Sequence, residues 1–137
     1  MKLIEVRALG ELGRVDDLVK TYTSLGPNLS PIDLQFCRLY ILAFGGRIEG
    51  VRALLGRQLG FLRPRSKAYW VFVAGKAAGT PDDDARRALA SYAHETEDET
   101  FRVNAQRHLD EAPKLGKVAL SGESLATIAA IEERFRR

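Results

Sequence analysis

The chain is 137 residues long, the size of one compact domain, with 21 Lys and Arg against 18 Asp and Glu for a formal net charge of +3. Hydrophobic residues at 45% and charged residues at 28% exclude wholesale disorder, and the single cysteine, Cys37, excludes a disulfide framework and a Cys-rich zinc module. The longest nearly apolar run, residues 68–75, is far shorter than the roughly 20 residues that cross a bilayer, and Glu5 interrupts the N-terminus too early for a signal core. The expectation is a cytoplasmic-side domain.

Apolar spacing predicts helices nearly throughout. Leu3, Ile4, Val6 and Leu9 make a first amphipathic set; Val15, Leu18, Val19, Tyr22 and Leu25 make a second. Ser30-Pro31-Ile32-Asp33 is a helix start: Ser30 caps, Pro31 suits the first helical position and Asp33 favours the positive end. Leu34, Cys37, Tyr40, Ile41 and Phe44 form the third face, closed by Gly45-Gly46, and Ile48, Val51, Leu54 and Leu55 form the fourth. Residues 60–64 read as a turn with Phe61 and Leu62 tucked inward. A fifth helix starts near Ser66 and runs through the all-round apolar stretch Tyr69–Val73; a β-strand is the rival there, set aside because no partner strand is visible. Thr80-Pro81-Asp82-Asp83 repeats the cap chemistry before Ala85, Ala88, Leu89 and Tyr92. Phe101, Ala105, His108 and Leu109 mark a seventh helix. Ser121 or Ser124 caps an eighth, whose face is Leu125, Ile128, Ile131 and Phe135.

Charge is uneven along these elements. Residues 1–70 hold 11 basic and 6 acidic side chains, residues 71–137 hold 10 and 12. Between Arg38 and Lys67 lie Arg47, Arg52, Arg57, Arg63 and Arg65 against one acid, Glu49. This is either a solvated helix surface or a dock for an acidic peptide, anionic lipid headgroups or nucleic acid, the last being weakest because no nucleic-acid motif accompanies it.

Gly13, Gly46 and Gly79 stand 33 residues apart, each between two helices, and Gly13-Arg14-Val15-Asp16 aligns with Gly46-Arg47-Ile48-Glu49. That period with two helices per unit resembles the tetratricopeptide repeat. Leu9–Val19 is similar to the repeat's helix-turn-helix centre; Leu18, Val51 and Ala85 take its small-residue position and Tyr22, Leu55 and Leu89 its later aromatic one. The consensus Trp and most Ala positions are missing. The expected fold is all-α, an antiparallel helix-pair superhelix with about three degenerate repeats (2–29, 31–62, 65–95) plus closing helices at 98–112 and 121–136.

Residues 40–137 carry a further likeness. Leu42–Arg47 followed by Val51–Leu55, Leu59–Pro64 with Ala68-Tyr69-Trp70, and the closing helix 121–137 resemble the cytosolic helical region of rhomboid-family intramembrane serine proteases. The resemblance implies that the chain is the soluble, membrane-tethered part of such a protein. The family's Gly-x-Ser serine and membrane histidine have no counterpart here, so protease activity is not carried over.

Catalytic chemistry has little to stand on. His94 and His108 lie on different predicted helices, outside any His-Glu-x-x-His pattern, and read as surface pairs with Glu95 and Asp110. Cys37 lies on an apolar stripe and reads as a small hydrophobe; Asp82-Asp83-Asp84 reads as first-turn helix chemistry rather than a cation site. No catalytic residue, metal ligand or cofactor is assigned. Binding fits better, with the first helix of each pair lining a groove for a peptide or partner helix. The groove candidates are Leu3, Arg7, Asp33, Phe36, Tyr40, Lys67, Tyr69, Val73 and Lys76; the alternative is that the aromatics fill inter-helix space. Arg134, Arg136 and Arg137 either complement a helix C-terminus or meet anionic headgroups beside a membrane span. The expected function is a non-catalytic protein-interaction domain of a rhomboid-like protein, recruiting partners or substrates or regulating the membrane domain. A free-standing adaptor for an acidic peptide or partner helix is the alternative, and a nucleic-acid binder or small hydrolase is less favoured.

Overall fold

Caps and glycine stops divide the chain into eight α-helices among the residues that the computed structural model describes, 3–111 and 120–135: α1 (Leu3–Glu11), α2 (Val15–Leu25), α3 (Pro31–Phe44), α4 (Ile48–Arg57), α5 (Pro64–Ala78), α6 (Asp83–Glu95), α7 (Glu99–Glu111) and α8 (Gly122–Glu133). No strand occurs among these residues; one 3-10 turn (Gly26–Asn28) follows α2. The Ser30 hydroxyl accepts from the Asp33 amide, the Asp82 carboxylate from the Asp84 and Ala85 amides, and the Ser121 hydroxyl from the Ser124 amide. Each satisfies donors that the first helical turn leaves unpaired. Helix α5 starts at Pro64, two residues before the expected Ser66, because proline's fixed φ suits a first turn.

The three glycines at 33-residue spacing have φ of +78°, +76° and +77°. Around each, the next residue's amide reaches back to a carbonyl five positions earlier: Arg14 to Leu9 at 2.8 Å, Arg47 to Leu42 at 2.8 Å, Thr80 to Gly75 at 2.9 Å. This is one helix-ending motif used three times, and it needs a left-handed residue. A Cβ on Gly46 would lie 3.0 Å from the Ala78 nitrogen and 3.1 Å from its Cα, whereas one on Gly13 would meet nothing within 4 Å. Gly13→Ala is therefore expected to cost about 1 kcal/mol of backbone strain, and Gly46→Ala about 2 kcal/mol or more, measured by urea denaturation. Equal losses would show that the Ala78 backbone yields freely.

Helix α3 packs against both α1 and α5, and α2, α4 and α6 pack against α1, α3 and α5 respectively, with α2 also touching α3 and α4 touching α5. One apolar cluster joins all the helices, from Val6 through Leu39, Ile41 and Phe72 to Ile131 and Phe135. Two close approaches set its geometry. Gly10 of α1 lies directly against the Phe44 ring of α3. Trp70 of α5 packs edge-on to the same ring at 5.7 Å and tilted against Tyr40 at 5.3 Å.

Helix α8 returns across α2 and α3. Asp16 of α2 accepts from the Ser121 amide at 3.1 Å and the Ser124 hydroxyl at 2.5 Å, which sets the carboxyl below its ordinary value, the Ser124 bond contributing most. Ser124, Ile128, Ile131 and Phe135 are buried, while Leu125 is largely exposed. The buried stripe thus begins one residue earlier than apolarity suggests, because Ser124 is satisfied by Asp16. Phe61, expected inside, is 67% exposed; only Leu62 packs on the core. Ile4, placed on the first apolar face, is 81% exposed, since the inward face of α1 runs through Leu3, Val6 and Gly10 at i, i+3, i+7 spacing. Among the described residues no helix is long and apolar enough to cross a membrane.

Candidate functional site

Sequence puts an acid, a lysine and a histidine on three different helices, and the fold brings them together. His108 of α7 is only 4% exposed. Its Nε2 lies 2.6 Å from Oε1 of Glu11 in α1, and its Nδ1 lies 2.5 Å from Lys76 Nζ in α5. A lysine ammonium can only donate, so Nδ1 accepts and Nε2–H donates to Glu11: the ring is a neutral imidazole. The other Glu11 oxygen accepts from the Tyr69 hydroxyl at 2.9 Å and lies 3.1 Å from Arg107. Lys76 also reaches Glu111 at 3.4 Å. Tyr69 meets the His108 ring edge-on at 5.3 Å.

Titration follows from this packing. Burial works against the Glu11 charge, but His108, the Tyr69 hydroxyl and Arg107 outweigh it and hold the carboxyl down at about 2. Burial lowers His108 against the opposing pull of Glu11, and lowers Lys76 against that of Glu111. Burial pushes the Tyr69 and Tyr40 hydroxyls up, and raises the Cys37 thiol to about 11, so this thiol is a packed side chain rather than a nucleophile. Glu11, Lys76, His108 and Glu111 line a cleft of about 410 Å³ together with Phe44, Val15 and Val73.

A second, smaller cleft of about 200 Å³ lies between α1, α5 and the start of α7, lined by Arg7, Arg65, Ser66, Thr100 and Asn104 with Tyr69, Trp70 and Phe101. The Arg7 guanidinium sits over the Trp70 ring at 4.8 Å and the Tyr69 ring at 5.3 Å; its nearest anion is Glu11 at 3.6 Å. Arg65 lies over Phe101 at 4.9 Å and donates to Thr96 and to Asp98 at 3.0 and 3.1 Å. Asp98 also lines the cleft, held below its ordinary carboxyl value first by the Phe101 amide and then by Arg65. Arg65 thus spends donors on Thr96 and Asp98, whereas Arg7 makes a longer contact, 3.6 Å, to Glu11; a guanidinium held over aromatic rings can still offer its edge to a planar anion.

The groove candidates divide on burial. Tyr40, Tyr69 and Val73 belong to the core, which removes them as exposed anchors. Arg7, Phe36, Lys67 and Lys76 are half-buried, as is Asp33, which stands in the capped first turn of α3. Lys67 donates to the Gly60 carbonyl at 3.0 Å, away from the Arg7 cleft. The fold joins Arg7, Tyr69 and Lys76 around Glu11 and leaves Asp33, Phe36 and Lys67 apart from that network. The basic run also splits. Arg38 is buried on the Tyr22 hydroxyl, Arg47 pairs with Glu132, and Arg52 pairs with Glu49 and Asp82. Arg57 and Arg63 are exposed, and Arg65 belongs to the small cleft. Arg134 ends α8 in an exposed position; Arg136 and Arg137 lie outside the described residues.

The expected surface pairing of His108 with Asp110 is corrected: Asp110 accepts from Gln106, and His108 faces inward to Glu11 and Lys76. The sequence did carry a signal. His108 stands on the apolar face with Phe101, Ala105 and Leu109, and a polar group buried there needs a partner. Glu11 and Arg107 offered no such signal, since each reads as an ordinary charged helix residue. Among the described residues no three His, Cys, Asp or Glu side chains converge as a metal ion would require.

Fold and site define an all-helical protein whose α1, α5 and α7 meet at a buried ionic centre beside a stacked-arginine cleft. No family model matches the chain, and no curated protein and no solved structure is found to match it.

Proposed function

We propose that the chain is a non-catalytic helical-repeat domain that binds a protein partner through an acidic segment held at the Arg7 cleft. One observation carries this reading. Arg7 is fixed over Trp70 and Tyr69, and its nearest carboxylate, Glu11 at 3.6 Å, is already engaged by His108, Tyr69 and Arg107. A guanidinium so held offers donors in bidentate geometry with little side-chain entropy left to lose. Ser66, Thr100 and Asn104 add neutral donors on the same walls. A tetratricopeptide-like stack is supported by the three identical glycine stops and by the packing of α1, α3 and α5 side by side. Here α7 closes back onto α1 through Glu11 and His108, so the partner meets a cleft at the seam rather than a long open groove.

A fluorescein-labelled decapeptide rich in Glu is expected to bind, with its Gln-substituted counterpart at least tenfold weaker by fluorescence anisotropy. Arg7→Gln is expected to weaken the Glu peptide by tenfold or more, the size of a lost charge-assisted hydrogen bond. Equal affinity of both peptides, or of both proteins, would overturn the cleft as the acidic-peptide site. The likeness to rhomboid-family proteins extends the proposal to a domain tethered beside a membrane. Sequencing the reading frame on both sides tests that extension: flanking apolar spans of about 20 residues support it, and flanks without them remove it.

A further inference from the structure

We infer that a groove between α2 and α8 binds a small phosphomonoester, its phosphate received by the Tyr22 hydroxyl and Arg134 in front of the buried charge of Arg38. This site shares no residue with the Arg7 cleft and does not depend on the acidic-peptide reading of it.

Charge pairing in this chain has one exception of consequence. Arg7, Arg47, Arg65 and Arg107, all partly exposed, each lie 3.1 to 3.6 Å from a carboxylate oxygen. Arg38 is only 6% exposed, and among the described residues no carboxylate pairs with it. Its Nε donates to the Tyr22 hydroxyl, a neutral oxygen, at 3.1 Å, which uses one of five N–H donors. A buried guanidinium ordinarily brings its own anion, because leaving water unpaired is costly. Here the fold supplies none. The one sealed side-chain polar atom without a partner among the described residues is Gln35 Oε1, so the unbonded nitrogens of Arg38 keep a narrow opening to solvent. Arg38 is therefore held ready for a counter-charge that arrives from outside.

Tyr22 carries that charge to the surface. Its oxygen accepts from Arg38, so its own proton points away, and no acceptor among the described residues receives it. The ring lines a groove of about 320 Å³ whose other walls are Ala126, Thr127, Ala130, Ile131 and Arg134. A phosphate oxygen accepting the Tyr22 proton stands about 6 Å from Arg38 Nε, two hydrogen-bond lengths, where burial weakens screening. Arg134 is exposed at the end of α8, has no carboxylate partner among the described residues, and reaches the outer phosphate oxygens. Two unpaired guanidiniums match the charge of about −2 that a phosphomonoester carries above its second pKa of about 6, whereas a monoanion leaves one of them uncompensated. No carboxylate lines the groove to oppose it. Thr127 adds no donor, since its hydroxyl is spent on the Glu123 carbonyl at 3.1 Å. Ala126 and Ala130, one helical turn apart, leave with Ile131 a shallow apolar floor for a flat organic body such as a phenyl ring.

The experiment is isothermal titration of the full chain with phenyl phosphate at about pH 8 and low ionic strength, beside benzoate and inorganic phosphate. Phenyl phosphate is expected to bind. Benzoate, with one charge, and inorganic phosphate, without the ring, are each expected to bind about fivefold more weakly or worse. Arg38→Met is expected to weaken phenyl phosphate by about tenfold or more while holding or raising the melting temperature, because an apolar stem replaces an unpaired buried charge. Tyr22→Phe and Arg134→Gln are each expected to weaken it about fivefold or more. Arg134 is exposed, so its variant keeps the test open if Arg38→Met fails to fold. Unchanged affinity in both Tyr22→Phe and Arg134→Gln overturns the groove as the site, as does loss of binding on Arg7→Gln in their place. Benzoate binding as tightly as phenyl phosphate overturns the phosphate assignment. Absent binding of phenyl phosphate to wild type overturns the proposal and leaves the Arg7 cleft standing.

Discussion

Glu11→Ala is expected to destabilise the protein by about 3 kcal/mol, the lower end of the range for removing one member of a buried ion pair. The carboxylate accepts from His108 and Tyr69 and neutralises Arg107, and its side chain is 13% exposed. Its removal strands three polar groups at once, two of them in buried residues, and nothing on α1 replaces it. Against a total folding free energy of about 5–15 kcal/mol, such a loss is large and readable as a lower urea midpoint. The exposed pairs Arg14–Asp17 and Arg102–Glu99 set the contrast, each joining side chains already in water, with expected losses below about 1 kcal/mol. A Glu11→Ala loss no larger than theirs would show that the centre is solvated and holds nothing together. The pH dependence has a definite sign. The depressed Glu11 carboxyl contributes stability that is full above about pH 4.5 and is lost as pH falls toward 2, while the lowered His108 contributes stability that is full above about pH 6.5 and is lost below it. Acid unfolding should therefore show a shallow loss near pH 6 and a steeper one below pH 4.5, and His108→Gln should remove the first and make the second shallower, because His108 is the main partner holding the Glu11 carboxyl down.

Gly10→Ala is the second large effect, and its direction opposes helix propensity. In an exposed helix the change would stabilise by about 1 kcal/mol. Here an added Cβ would fall 2.1 Å from the nearest Phe44 ring atom and within 2.7 Å of two more, and that ring is itself braced edge-on by Trp70 at 5.7 Å. The ring cannot turn aside without moving Trp70, so α1 must back away from α3. Overpacking of this kind costs about 1–3 kcal/mol. A net loss of about 2 kcal/mol is expected, together with weaker peptide binding, because displacing α1 carries Arg7 off Trp70. A rise in melting temperature on Gly10→Ala would show that the α1–α3 contact is looser than the packing implies. Gly56, with nothing within 4 Å of an added Cβ, is the control at which alanine should stabilise α4.

Much of this molecule is local and therefore legible in the sequence. Pro31 at a first turn, the caps at Ser30, Asp82 and Ser121, and the three left-handed glycines depend on residues within a few positions of one another. Cys37 is similar: its place on a stripe with Leu34 and Ile41 was enough to bury it. Pro64 is equally local but reads as the end of a turn rather than the start of α5. Phe61 lies in a turn where no periodicity says which apolar side chain faces in, while periodicity misled at Ile4 and Leu125, where an apolar residue next to the true stripe is indistinguishable from one on it. The error there is about one residue, or 100° around a helix.

What tertiary structure alone decided is the polar geometry. Glu11 and His108 are separated by 97 positions, Ser124 and Asp16 by 108, and Tyr69 and Glu11 by 58. No spacing rule links residues that far apart, because their meeting depends on the summed angles of every helix packing between them. Helix identity, boundaries and stops were set within single turns of chain, by capping groups and by backbone sterics. The burial of His108, the stacking of Arg7 on Trp70 and the closure of α7 onto α1 were set by how eight such helices pack, since a side chain acquires a buried partner only when another element arrives beside it.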